Sequence, residues 1–221
     1  PEDMPEGDSP KRIAKEIREL GFEAVDYLGT PEALDSYFSA EIAKDLGDYC
    51  RSLGLEPNVF VYQESAWNDP DPQVTERTLA GFEKAAATAE RMGCKIVSTL
   101  VPLPMGRGVE FQALGAGPEA ELPPGRGLLL PKGLGHPGGE LPQGLAIAKG
   151  HGLRMSIECF AGSMISTPHA MLKVLEDVGD DAFGIQLDTN HLVAQHIDPE
   201  WTIRMLGGAI FSTCTARTTT P

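Results

Sequence analysis

Two patterns of hydrophobic spacing alternate along the chain. Apolar residues recur at helical intervals over Pro10–Leu20 (PKRIAKEIREL), Leu34–Leu53 and Thr75–Met92, and these stretches stop at Gly21, Gly54 and Gly93. A glycine just past the last periodic residue marks a helix end, because it takes the left-handed conformation at little cost. Short runs rich in β-branched and aromatic residues follow and predict strands: FEAVDYL with Asp26 near its end, NVFVY (58–62) and CKIVSTLV (94–101). The second half repeats the alternation. HGL leads into the strand RMSIECF (154–160), Thr167-Pro168 opens a helix running to Val178, and FGIQLD (183–188) is a further strand. Pro199–Leu206 predicts a short helix and AIFSTC (209–214) a last apolar stretch.

The recurring unit is helix, glycine and strand, at intervals of about 30 to 40 residues. Strands apolar on both faces, alternating with helices, indicate a parallel sheet. A doubly wound sheet and a TIM barrel both satisfy that pattern. No GxGxxG follows the first strand, which speaks against a dinucleotide-binding sheet. About six strands are legible, where a closed TIM barrel has eight.

One stretch breaks the pattern. Pro104–Gly144 holds eighteen glycines and prolines in forty-one residues and shows no helical period. It reads as an irregular insert, longer than the loops ordinarily found inside a compact domain.

Composition narrows the function. A chain of 221 residues suits one domain with a sizeable core, here expected over residues 1–221. A formal net charge of -14 disfavours binding to nucleic-acid backbones, which calls for a basic surface. No run of about 18 apolar residues is present to span a membrane. The opening residues PEDMPEGDSP are acidic and proline-rich, unlike a secretory signal. Cys50, Cys94, Cys159 and Cys214 lie far apart without a CxxC pair, and three of them sit in or beside apolar segments as ordinary buried thiols. The expectation is a reduced, cytoplasmic, globular protein.

Candidate chemistry gathers at two strand ends. Glu158 ends RMSIE and Asp188 ends FGIQLD, thirty positions later. Consecutive strand ends in a βα repeat lie at one mouth of the sheet, where two carboxylates can share a hard divalent cation. The alternative is that each acid caps the following helix or faces solvent. His191, three residues past Asp188, can reach the same cavity as a ligand or as a donor to a substrate oxygen, or it can be a structural loop residue. His136, His151, His169 and His196 have no comparable partners in sequence and read as surface residues. Phe60 reads as core, while Tyr62 and Trp67 are either core or the walls of a sugar site.

IxELGFEAVDY, MGCKIVSTLVP, HGLRMSIECF and FGIQLDTNHL followed by DPEW resemble the xylose-isomerase-like sugar phosphate isomerase/epimerase group. The resemblance covers most of residues 10–104 and 148–211, and the IE and LDxxH strand ends are its most specific parts. It implies an α/β fold of the (β/α)8 TIM-barrel type, incomplete here, with the first and last strands missing or degraded. It also implies a metal-dependent sugar or sugar phosphate isomerase or epimerase, moving a proton next to a carbonyl. Glu158 would then bind metal and act as acid/base, Asp188 would bind metal, and His191 would contact substrate. The partners implied are a small sugar or polyol, with no nucleic acid and no membrane, and the resemblance leaves room for a homo-oligomer.

Two departures qualify this expectation. The resemblance implies a metal-binding histidine on the seventh strand and a glutamate on the eighth, but AIFSTCTARTTTP has Ser212 and Cys214 at the first place and ends before the second. With two of four ligands, Mn2+, Mg2+ or Zn2+ is expected to bind weakly, so impaired activity or an inactive fragment is an alternative. A dehydratase on the same scaffold would need nearly the same residues, and a DNA-repair endonuclease of this fold would need additional histidines and carboxylates. Pro104–Gly144 and Ser212–Pro221 share a composition that GC-rich codons yield out of frame, so retranslating the gene tests for a shifted frame.

Overall fold

The computed structural model describes residues 10–64, 66, 67, 69, 71–101 and 139–213. Its elements run α1 (Pro10–Glu19), β1 (Ala24–Gly29), α2 (Pro31–Ser36), α3 (Ala40–Ser52), β2 (Glu56–Tyr62), α4 (Pro72–Met92), β3 (Ile96–Leu100), α5 (Glu140–Gly150), β4 (Arg154–Cys159), α6 (Pro168–Val178), β5 (Phe183–Leu187), α7 (Thr189–Ala194), α8 (Pro199–Leu206) and β6 (Ile210–Thr213). Local chemistry sets several helix starts. Thr30, Asp71, Thr167 and Asp198 each accept a backbone N–H with their side chains, and a proline follows in the first turn. Gly93 and Gly179 close α4 and α6 with left-handed φ of 84° and 62°.

All six strands are parallel and their spatial order is β1-β2-β3-β4-β5-β6. A doubly wound sheet reverses its strand order at a switch point. This sheet never reverses, so it is the arc of an incomplete TIM barrel rather than an open nucleotide-binding sheet. Met155, Ile157 and Cys159 on β4, and Phe183, Ile185 and Leu187 on β5, share one buried core with Leu141, Leu145 and Ala148 of α5 and Met171 and Val174 of α6. The intervening strand residues therefore face the other, inner side of the arc. There Val59, Val61 and Ile96 form a separate small cluster with Phe211 packed against it.

The β1–β2 ladder slips between Val25 and Tyr27, whose partners are Pro57 and Phe60. Pro57 has no N–H to donate, and the extra residue bends the pairing. The backbone N–H of Val59 donates instead to Asp26 Oδ1 at 3.2 Å.

Three elements differ from the sequence reading. The helix expected over Leu34–Leu53 is two helices, α2 and α3. Phe38 turns into the core at 7 % exposure, edge-on to Tyr27 and Phe60, and extended Ser39 starts the second helix. Here tertiary packing overrides local helical preference. α5 begins at Glu140, inside the stretch expected to be irregular through Gly144. Gly144 sits on its buried face, where a Cβ would stand 3.0 Å from the Trp67 ring and 3.1 Å from Met155. The short helix α7 was not expected. Most of the irregular insert and of the 212–221 tail, with Cys214, lies outside the described residues.

Cys50, Cys94 and Cys159 are buried free thiols, as the sequence indicated. Among the described residues no helix is long and apolar enough to cross a membrane.

Candidate metal and substrate site

β4 and β5 are adjacent and in register, with Glu158 opposite Gln186. Glu158 is therefore carried on the inner face near the C-terminal end of β4. Asp188 follows β5 directly, two positions beyond Gln186, and its extended backbone (φ -92°, ψ 109°) keeps it on the same face. α7 starts there and brings His191 back over the strand end. One candidate ligand atom from each of Glu158, Asp188 and His191 lies within 4.8 Å of the others. The three residues singled out at the strand ends are thus brought together by the fold.

The alternative reading of Asp188 holds at the same time. Its Oδ1 accepts the Asn190 N–H at 2.8 Å and caps α7, while Oδ2 lies 3.8 Å from His191 Nε2. The cap fixes the carboxylate's orientation and leaves the second oxygen directed at the site.

Burial sharpens the electrostatics. Glu158 is 4 % and Asp188 3 % exposed. A carboxylate withdrawn from water is costly to hold without a compensating partner. An adjacent effect is visible at Cys159, whose thiol is pushed up first by burial and then by the charge of Glu158. Two buried carboxylates with an imidazole make an oxygen-rich donor set that suits Mn2+, Mg2+ or Zn2+. The residues present fit a divalent cation.

Tyr62 and Trp67 are placed elsewhere. Both point into the main core, at 2 % and 1 % exposure, against Phe82 of α4 with centroid separations of 6.3 and 5.3 Å. Trp67 Nε1 donates to Thr99 Oγ1 at 2.8 Å, and Thr99 donates on to the Glu64 carbonyl at 3.1 Å. Packing occupies these rings, and walling a sugar site would require those contacts to give way.

Two features were missed in the sequence. The Phe160 ring lies 6.0 Å from the His191 ring, a placement legible only from its two-residue offset after Glu158. His151, read as an unpartnered surface residue, holds Glu90 through Nδ1 at 2.6 Å and Glu83 through Nε2 at 2.7 Å. The signal was the seven-residue spacing of those glutamates, two turns along one face of α4.

Comparison with known proteins agrees with this arrangement. The model of the xylose isomerase-like TIM barrel family matches residues 14–212. D-psicose 3-epimerase with D-tagatose from Clostridium cellulolyticum H10 superposes with a TM-score of 0.69 at 14 % identity, over 92 % of this chain and 66 % of that one. L-ribulose 3-epimerase gives 0.65 at 20 % identity, over 91 % and 62 %. The IolI protein with a bound zinc atom gives 0.67 at 16 % identity, over 91 % and 66 %. The chain thus spans slightly less than two thirds of these structures' own lengths. No curated protein matches it. The sequential parallel strands, the acids at consecutive strand ends and a family match over residues 14–212 lead to one conclusion: the chain belongs to the xylose isomerase-like TIM barrel family.

Proposed function

We propose that this chain carries the metal-binding half of a sugar isomerase or epimerase site, with Glu158 and Asp188 as cation ligands and His191 as the group that orients a substrate oxygen. The observation that carries the reading is the convergence of those three side chains within 4.8 Å, both acids being buried. Sugar epimerases among the structural neighbours support the substrate class. A divalent cation there would polarise a carbonyl and its neighbouring hydroxyl, making the adjacent C–H more acidic.

The protein's own groups supply the rest. Glu158, on a rigid strand, can take up or return the proton at the carbon beside the carbonyl. Asp188, locked by its cap on α7, holds its second oxygen in a fixed direction. His191 has two ring nitrogens; with the proton on the one facing Asp188, the other presents a lone pair that accepts a hydrogen bond from a sugar hydroxyl and so orients that oxygen. The main-core side of β4 excludes water from beneath Glu158. With two carboxylate ligands, cation affinity is expected to be modest, since such sites strengthen with ligand number.

The test is calorimetric titration of the metal-stripped chain with Mn2+, beside Glu158→Gln/Asp188→Asn. One-to-one binding lost in the variant supports the site. Incubation of the loaded chain with D-tagatose or D-fructose in D2O then reads exchange of the carbon-bound proton next to the carbonyl by NMR. Absence of both binding and exchange in the folded parent would overturn the reading.

A further inference from the structure

The inner face of the arc is apolar at Val59, Val61 and Ile96 but polar along β4 and β5. Ser156 on β4 and Gln186 on β5 are 0 % and 7 % exposed, and Ser156 Oγ and Gln186 Oε1 are buried without a hydrogen-bond partner among the described residues. A buried amide oxygen without a donor is disfavoured against a hydrocarbon group of the same size, so its presence calls for a donor that the described residues do not supply.

Position shows where that partner comes from. Gln186 is the in-register neighbour of Glu158. Both side chains stand on the same face, and glutamine and glutamate extend the same number of bonds from the backbone. The Gln186 amide therefore reaches the same height as the Glu158 carboxylate, displaced by the strand spacing of about 4.8 Å. Asp188 is two residues further along the same face, so Gln186 lies beside one acid and beneath the other.

The space below is closed. Ser156 pairs with Gly184, and a Cβ at Gly184 would meet the Phe211 ring at 2.6 Å. The Arg154 guanidinium lies over that ring, 3.2 Å from the centroid. Phe211 and Arg154 thus plug the lower part of the arc. Along the strands, the Gln186 amide oxygen lies on the side of this plug that carries Glu158 and Asp188.

We propose that Gln186 is a substrate-contacting specificity residue, whose amide oxygen accepts a hydrogen bond from a hydroxyl of a sugar or polyol held against Glu158 and Asp188. This rests on the site reading given above. A neutral amide suits the place: its oxygen accepts from a hydroxyl without adding a third negative charge beside two carboxylates. Ser156, one rung lower, adds a second hydroxyl-binding group. The selectivity follows from the cost of leaving a buried polar group unpaired, which discriminates against a ligand lacking that hydroxyl.

The test compares the parent with Gln186→Leu, using Mn2+ and D-tagatose as probes. Gln186→Leu is expected to bind Mn2+ within about twofold of the parent, to bind D-tagatose at least about tenfold more weakly, and to melt no lower than the parent without ligand, since an unpaired polar group has been removed. Gln186→Glu, which adds charge beside Glu158, is expected to lower the metal-free Tm. Unchanged D-tagatose affinity in Gln186→Leu overturns the proposal and leaves the metal site standing. A Gln186→Leu protein that melts several degrees lower also overturns it, because the amide is then structural. Failure of the parent to take up Mn2+ counts against the site reading, and Gln186 is then judged by the ligand-free melting comparison, where a lower Tm in Gln186→Leu overturns it.

Discussion

His191 Nε2 stands 3.8 Å from Asp188 Oδ2, although the other oxygen of that same carboxylate is committed to the N-terminus of α7. One aspartate thus builds the helix that delivers the imidazole and also faces it. The helix cap and the proposed cation ligand are joined in a single side chain, and substitution can separate them.

Asp188→Asn retains an oxygen for the cap and removes the charge, whereas Asp188→Ala removes both. Asn is expected to abolish Mn2+ binding while keeping the fold; Ala is expected to lose about 1 kcal/mol more of stability through the missing cap. Urea unfolding of the two variants beside the parent checks this. Equal stability for the pair would show that the cap contributes nothing.

Glu158→Gln relieves repulsion between two buried carboxylates when no cation is present. The metal-free variant is expected to melt higher than the parent, by roughly 2–4 °C if about 1 kcal/mol of repulsion is removed. Excess Mn2+ should reverse the order, because it stabilises only the chain that can bind it. Differential scanning calorimetry with and without Mn2+ reads both effects.

His151 links α4 to the end of α5 through Glu90 and Glu83, which raise its pKa above the ordinary value of 6.5 by hydrogen bonding, against a smaller opposing effect of burial. A raised folded-state pKa contributes stability that is fully present below the unfolded value and lost as pH rises through the folded value. Parent and His151→Gln should differ most in Tm near pH 5.5, with the gap closing as pH climbs above about 6.5 and through the raised value. A gap that does not change with pH would mean that the clasp works by packing alone.

Gly47 lies on α3 where a Cβ would fall onto the backbone carbonyl of Met92, the last residue of α4. Helix propensity favours Gly47→Ala by about 1 kcal/mol. The clash is with backbone that cannot rotate away, so overpacking at about 1–3 kcal/mol or more is expected to win. Denaturant unfolding gives the sign directly, and a stabilised Gly47→Ala would show that the two helices can separate.

How much of this was legible depended on the range of the causes. The strand ends carrying Glu158 and Asp188, and His191 after them, could be read from short local patterns, because a βα repeat converts sequence order into spatial order. Strand number followed from the same periodicity. The break at Phe38 could not be read, since it depends on where Tyr27 and Phe60 place an opening in the core. α5 was hidden because Gly144 looks like a helix breaker until Trp67 is seen against it. The role of His151 depended on glutamates 61 and 68 positions away in sequence. Gln186 carried no signal within an apolar strand, and only its register with Glu158 gives it meaning.

The unreversed strand order has a consequence for local opening. β2 to β5 are each hydrogen-bonded on both sides, while β1 and β6 have one strand partner each among the described residues. Amide protons should therefore exchange slowest at Val97–Leu100 and Met155–Cys159, and progressively faster outwards to Ala24–Gly29 and Ile210–Thr213. The ligands straddle that gradient: Glu158 lies in the most protected strand and Asp188 one strand closer to the labile flank. Fluctuations that loosen β6 therefore reach Asp188 and His191 before they reach Glu158.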